Sequence, residues 1–85
     1  MNLPAPIQAV WDELVAEGYR PGPGFEAYCG QVHIERDAAR RVATEGLVIA
    51  DAKGAPIAHP AIEAQRRAQV EIRAWGKTFA PRASR

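Results

Sequence analysis

A run of helix-breaking residues near the N-terminus divides this chain more sharply than any other feature. Residues 20–24 read Arg-Pro-Gly-Pro-Gly, and two prolines and two glycines in five residues predict a loop between helices. Upstream of this loop, the apolar residues of segment 3–17 recur at intervals of three and four, which predicts an amphipathic helix. Pro4 and Pro6 suit the first turn of that helix or the stretch just before it, and Gly18 offers a C-terminal stop.

The second predicted helix spans residues 25–45, and Gly46 closes it. Its apolar residues share one side, while Arg36, Arg40 and Arg41 lie largely elsewhere. The predicted apolar stripe comprises Phe25, Tyr28, Cys29, Val32, Ala39, Val42 and Ala43.

The periodicity then changes, which predicts a β-hairpin at residues 46–59. Residues 47–50 form a short apolar run rich in β-branched side chains, residues 51–54 have turn chemistry, and residues 55–58 can return alongside. Pro56 lacks a backbone N–H, so the return strand should lie at an edge. Because a lone hairpin is marginally stable, we expect a helix or another subunit to cover it.

Pro60 opens a third predicted helix, with His59 as a weak cap. The predicted stripe of this helix comprises Ala61, Ala64, Ala68, Ile72 and Trp75. Gly76 is expected to stop the helix, which leaves residues 77–85 as a basic C-terminal tail, mobile apart from Phe79.

The size and composition of the chain fit one helical domain over residues 1–76. A chain of 85 residues has room for a single domain, whose core is marginal when it stands alone. The 47% apolar fraction favours a folded domain over a disordered one. The expected fold class is mainly α, with three helices and the hairpin between the second and third. We expect this domain to gain buried area by assembling into a homo-oligomer, a ring with head-to-tail contacts.

Charge is distributed unevenly along the chain, although the net charge is only +1. Residues 1–35 carry five acids and one base, a net charge of −4, whereas residues 60–85 carry six bases and two acids, a net charge of +4. The basic last third is a candidate for anion binding. The acidic first third could meet the basic third of a neighbouring copy.

Targeting signals and cysteine usage indicate where the protein acts. Cys29 is the single cysteine, which excludes an internal disulfide and fits a reducing cytosol. Residues 1–6 lack the basic and apolar regions of a signal peptide. No apolar run approaches the roughly 20 residues that a membrane span needs. We expect a protein that stays in the compartment where it is made, without membrane contact.

Three residues of the second helix resemble the parts of a nucleophilic site. Cys29, His33 and Asp37 follow one another at four-residue intervals and share one helix face. One straight helix offers no second wall and no oxyanion donors, and Cys29 belongs to the core stripe, so a buried structural thiol is favoured over a small thiol enzyme. A metal site from Cys29, His33 and His59 would have three ligands and no anchoring CxxC or HxxxH pair, so neither metal nor cofactor is expected.

Aromatic and glycine patterns invite two further interpretations. Trp11 and Trp75 are interpreted as core anchors rather than base-stacking platforms. The glycines of segment 20–24 resemble a phosphate loop, but no strand precedes them and the Gly-Lys-Ser/Thr ending is missing.

Arginine-rich faces of the second and third helices are the stronger functional signal, because cations of this kind contact nucleic-acid phosphates. The candidate DNA-binding side chains are Arg66, Arg67, Arg73, Arg40, Arg41, Arg36, Lys77, Arg82 and Arg85. The guanidinium fork suits phosphate and carboxylate equally, so exposed helix faces with intrahelical pairs such as Glu63–Arg67 are the alternative.

The order of short motifs resembles the small-subunit family of bacteriophage terminases, over residues 7–85. The shared pieces are Gly18-Tyr19 after a tryptophan-containing helix, Tyr28-Cys29, Glu45-Gly46-Leu47-Val48, Lys53-Gly54, His59-Pro60-Ala61, and a closing stretch 76–85 with Gly76, Pro81 and Arg82. Many relatives carry a longer basic N-terminal extension. Most have an acidic residue after the first loop, where this chain reads Pro21-Gly22-Pro23-Gly24.

The resemblance implies a non-enzymatic, oligomeric component of viral genome packaging in the cytoplasm of the bacterial host. Such a protein binds double-stranded phage DNA at the packaging-initiation site and delivers it to the terminase large subunit, which holds the ATPase and nuclease. A protein-only oligomeric adaptor is the alternative. No helix-turn-helix signature is evident, so the sequence assigns no element to the DNA contact.

Overall fold

The computed structural model describes residues 3–81. Its elements are α1 (Ala5–Ala16), α2 (Phe25–Glu45), β1 (Val48–Ala50), β2 (Pro56–Ala58) and α3 (Pro60–Phe79). The expected mainly α fold, three helices with a hairpin between the second and third, is therefore confirmed. No helix among residues 3–81 is long and apolar enough to cross a membrane.

The first helix is slightly shorter than predicted, because proline and glycine set its ends. Pro4 is the N-cap in extended backbone (φ −54°, ψ 145°), so the helix begins at Ala5. At the other end, Gly18 adopts φ 102°, which glycine reaches without steric cost. The N–H of Tyr19 then donates to the Leu14 carbonyl at 2.9 Å and closes the helix.

α2 is the central element, with α1 on one side and α3 on another. Arg36 of α2 contacts Glu13 of α1, while Glu35 of α2 accepts hydrogen bonds from Gln65 and Gln69 of α3. The predicted single stripe on α2 was therefore too narrow. Ala38, outside that stripe, is buried, whereas Ala43, inside it, is exposed.

The core lies where α1, the first half of α2 and the end of α3 meet. Its buried members are Val10, Leu14, Phe25, Tyr28, Cys29, Val32 and Phe79. The Phe25 ring meets Trp11 edge-on at 4.7 Å between centroids and Phe79 edge-on at 5.2 Å. Edge-to-face pairs of this kind add about 0.5–1.5 kcal/mol to the burial of the rings. Trp11 is thus confirmed as a core anchor.

The third helix continues past Gly76, so the prediction that Gly76 stops it is wrong. α3 runs on to Phe79, which is buried and whose carbonyl accepts the Arg20 N–H at 2.9 Å. A glycine inside a helix costs about 1 kcal/mol. Burying a phenylalanine contributes about 1.5–3 kcal/mol and outweighs that cost. The predicted mobile tail thus begins with helical residues, and its residues 82–85 lie outside the described part of the chain.

The predicted stripe on α3 is also partly wrong. Trp75 is 52% exposed and Ala64 is exposed, so Trp75 is not a core anchor. The side that packs inward carries Ala61, Ala68 and Phe79, with Ile72 packed against the core. At 3.6 residues per turn, Ala61, Ala68 and Phe79 share one line along the helix, whereas Ala64 and Trp75 fall to one side of it, at the edge of the interface.

The hairpin extends from the end of the helical pair opposite the core. Val48 pairs with Ala58, Ile49 with Ile57 and Ala50 with Pro56 in antiparallel register. The Asp51 carboxylate accepts the N–H groups of Lys53 and Ala55 and so shapes the turn.

The overall shape is elongated, with extents of 53 × 31 × 19 Å. The radius of gyration is 15.6 Å, against about 12 Å for a compact domain of this length. The single core near one end explains this difference.

Candidate nucleic-acid interface

On α2, one carboxylate forms ion pairs with two arginines. Asp37 forms ion pairs with Arg40 and Arg41, and the Arg41 Nε lies 3.0 Å from Asp37 Oδ2. The hydrogen bond from Arg40 holds the pKa of Asp37 below its usual value. Both guanidinium groups remain largely exposed.

The same arrangement recurs on α3. Arg66 Nη2 lies 2.9 Å from Glu63 Oε1, and Arg67 Nε lies 3.2 Å from Glu63 Oε2. The hydrogen bond from Arg66 lowers the pKa of Glu63. The side chains of Arg66 and Arg67 are 72% and 80% exposed. The intrahelical Glu63–Arg67 pair, which the sequence offered as the alternative to DNA binding, is therefore present.

The two clusters share a sequence motif that is not apparent when each arginine is considered separately. Residues 37–41 and 63–67 both place an acid three and four residues before consecutive arginines, Asp-x-x-Arg-Arg and Glu-x-x-Arg-Arg. Spacings of three and four bring all three side chains together on a helix surface. Each cluster thus has one excess positive charge and several N–H donors turned to solvent, a suitable site for a phosphate.

Arg36 has a different environment from its neighbours. Its two terminal nitrogens donate to the Glu13 carboxylate at 2.9 and 2.6 Å, which joins α1 to α2. The hydrogen bond between them raises the pKa of Arg36 and lowers that of Glu13. The geometry gives Arg36 a structural role, because a phosphate would have to compete with this two-point contact.

Two more candidate cations lie on α3. Arg73 and Lys77 are exposed, and within residues 3–81 neither forms an ion pair. They extend the positive surface of α3 beyond Arg66 and Arg67. Arg82 and Arg85 fall outside the described residues.

The nucleophile-like trio does not form a reactive site. Cys29 is fully buried in the core, and burial raises the pKa of its thiol to about 11. A thiol with so high a pKa stays protonated near neutral pH and is a poor nucleophile. Asp37 is engaged by the two arginines instead. The interpretation of Cys29 as a core residue is confirmed.

His59 is the N-cap of α3, as the sequence predicts, and it also makes a contact with Glu45 that the sequence did not reveal. Its Nδ1 accepts the Ala61 N–H at 2.9 Å, which makes it the side-chain cap of α3. Its Nε2 lies 2.6 Å from Glu45 Oε1 and therefore donates to that carboxylate. No group of three metal-ligating side chains occurs among the described residues.

Comparison with known proteins identifies one family. The family model of the phage terminase small subunit matches residues 8–80. No curated protein and no solved structure matches the chain. The family match spans α1, α2, the hairpin and α3 almost completely, so the chain belongs to the small-subunit family of phage terminases.

Proposed function

We propose that this protein binds double-stranded phage DNA at the packaging-initiation site and hands it to the terminase large subunit, without catalysing a reaction itself. The observation that carries the proposal is the pair of exposed acid-x-x-Arg-Arg clusters on a chain of the terminase small-subunit family. The protein acts in the cytoplasm of the infected bacterium, where the genome is packaged.

The α3 surface is the first choice for the phosphate contact. It combines the Arg66–Arg67 cluster with Arg73 and Lys77, so four cations lie along one helix. A phosphate oxygen can take guanidinium donors that Glu63 does not use. Such contacts fix position on the duplex and carry no base specificity. The Arg40–Arg41 cluster is the second choice, and Arg82 with Arg85 the third.

A salt titration of DNA binding tests this assignment. Affinity should fall linearly with salt on logarithmic axes, with about 0.9 of slope for each phosphate neutralised. Changing Arg66 and Arg67 to alanine should lower affinity for all sequences and flatten the slope. The matched control removes two exposed cations outside the clusters, Arg20→Ala with Lys53→Ala, and should leave the slope unchanged.

A charge reversal sharpens the same test. Arg66→Glu with Arg67→Glu should abolish DNA binding, and light scattering of the same variant checks that the oligomer is retained. Conversely, Glu63→Gln should raise affinity, since both arginines lose their competing carboxylate. If the double glutamate variant keeps full DNA affinity, α3 is not the DNA surface.

A protein-only adaptor is the second candidate, because both arginine clusters already bind carboxylates in this chain. In that case their partners would be acidic patches of other proteins. Wild-type protein that shows no salt-sensitive DNA binding, even with the large subunit present, would favour the adaptor.

A further inference from the structure

The hairpin's hydrogen bonds determine which backbone groups of β1 remain open. Asp51 N–H donates to the Ala55 carbonyl and His59 N–H to the Leu47 carbonyl, both at 2.8 Å. Hydrogen-bonded positions alternate along an antiparallel ladder. Leu47, Ile49 and Asp51 therefore turn their backbone groups toward β2. The N–H and C=O groups of Val48 and Ala50 point away from β2, along the outer edge.

The two edges of the hairpin are not equivalent. The outer edge of β2 presents Ala58 and Pro56, and Pro56 has no N–H to donate. The outer edge of β1 presents complete donor and acceptor pairs at Val48 and Ala50. Proteins usually protect such an edge with a proline, a charged side chain or a covering element. β1 itself reads Val-Ile-Ala and has no such protection.

The side chains of the hairpin are also left uncovered. Both strands are wholly apolar, yet Leu47 is 65% and Val48 61% exposed, and Ile57 is exposed as well. The helices among residues 3–81 do not cover this patch, whereas a two-stranded hairpin is marginal in water. Concentrated apolar exposure of this kind marks an interaction site.

We infer that β1 pairs antiparallel with β1 of a second copy of this chain and forms a four-stranded sheet. A two-fold axis through Ile49 places Val48 of each copy opposite Ala50 of the other. Each Val48–Ala50 pair then exchanges two N–H···O=C bonds, so every outward group of the edge is satisfied. Asp51 lies opposite Leu47 of the second copy, so no like charges meet.

The β1 edge favours a second copy of this chain as its partner over a strand of a different protein. The edge is complementary to itself in donors, acceptors and apolar character, as an isologous contact requires. Strand addition to an open sheet edge is a common mode of recognition. The contact uses none of the candidate arginines, and it does not depend on DNA binding.

Disulfide trapping tests the register directly. With Ile49→Cys, the two introduced thiols face each other at a Cα separation of about 4.5 Å, within reach of a disulfide. The matched control is Ile57→Cys on β2, which in the same sheet lies three strand spacings, about 14 Å, from its copy. Under mild oxidation we expect a covalent dimer from the Ile49→Cys protein only. Cys29 remains in both variants because it is buried.

A second pair of variants tests the edge without new thiols. Ala50→Pro removes an N–H that the hairpin itself does not use, opposite a position that already carries proline. It should raise the dissociation constant of the two-fold contact roughly tenfold or more, because it removes two of the intermolecular bonds. Ala58→Pro makes the equivalent change on the β2 edge and should have little effect.

Sedimentation measures association in this second test, and circular dichroism confirms that each variant stays helical. Equal trapping of the two cysteine variants, or equal association of the two proline variants, would overturn the inference. DNA affinity of the Ala50→Pro protein is measured in parallel. If the Ala50→Pro protein loses the pairing and keeps its DNA affinity, the result supports the edge contact independently of the proposed function.

Discussion

Gly76 lies inside α3 and faces the hydroxyl of Tyr28. A Cβ added at this position would lie 3.3 Å from Tyr28 Oη, and the Tyr28 ring is packed against Phe79 and Tyr19. Alanine normally gains about 1 kcal/mol over glycine inside a helix. We expect Gly76→Ala to show no such gain in urea unfolding, because the methyl group crowds Tyr28.

The same substitution in a Tyr28→Phe background isolates the cause. Without the hydroxyl, Gly76→Ala should raise the free energy of unfolding by up to about 1 kcal/mol. A full gain in the wild-type background would show instead that the glycine has no steric role.

Cys29 gives the second prediction at the scale of single residues. Cys29→Ala should cost about 1–3 kcal/mol of stability, and Cys29→Ser more, since serine buries a hydroxyl. Burial raises the pKa of this thiol from 9.0 to about 11, so the unfolded chain releases the proton first as pH rises. Wild type should therefore lose stability between about pH 9 and pH 11 relative to Cys29→Ala. Rapid alkylation of the native thiol near pH 7 would contradict its place in the core.

Between elements, the Glu13–Arg36 ion pair couples α1 to α2. The hydrogen bond from Arg36 lowers the pKa of Glu13 below its ordinary value of 4.5. The stabilisation is present above that value and disappears as pH falls through the lower folded pKa. Acid titration of stability should show this loss in wild type. Arg36→Gln should be less sensitive to acid than wild type, and equal acid sensitivity would mean that the pair contributes nothing measurable.

His59 joins three elements, because its ring caps α3 and bonds to Glu45 at the end of α2 while its backbone closes the hairpin. His59→Ala should cost about 1 kcal/mol or more through the lost cap. His59→Asn keeps a capping oxygen and should recover part of that loss in thermal unfolding. Glu45→Gln, which still accepts the ring N–H, is the milder control. Equal melting temperatures for the alanine and asparagine variants would exclude the capping role.

These cases show how far the sequence could specify the structure. Local signals were sufficient for the α2 bounds, the hairpin turn and the proline start of α3, because proline, glycine and aspartate act over a few residues. Trp75 and Ala64 were misplaced because the predicted stripe left out Phe79, whose contact with Phe25 joins residues far apart in the chain, and the buried side of α3 is centred on Ala61, Ala68 and Phe79. Ala38 was missed because two neighbouring helices cover α2. The positions of the paired arginines follow from helical spacing alone, but the role of Arg36 required the α1–α2 contact.

For the whole molecule, we expect a stable homo-oligomer. The chain has one small core, an acidic first third and a basic last third, so unlike surfaces of neighbouring copies can meet head to tail in a ring. Light scattering at tens of micromolar should detect the assembly in both low and moderate salt. A monomer under all these conditions would exclude it. If β1 pairing adds two-fold axes to such a ring, it joins two rings, and the total number of subunits is even.

The position of the core at one end gives the chain an uneven resistance to amide hydrogen exchange. Amides near Phe25 and Cys29 should exchange only when the whole domain opens, because both residues are fully buried. Amides of the hairpin should exchange through local fluctuations, since few side chains cover it. Within β1, the Ile49 amide is bonded to β2, whereas those of Val48 and Ala50 are open to solvent in a single chain. If hydrogen exchange at these two amides slows as the protein concentration is raised, the β1 edges of two copies have paired at these two residues.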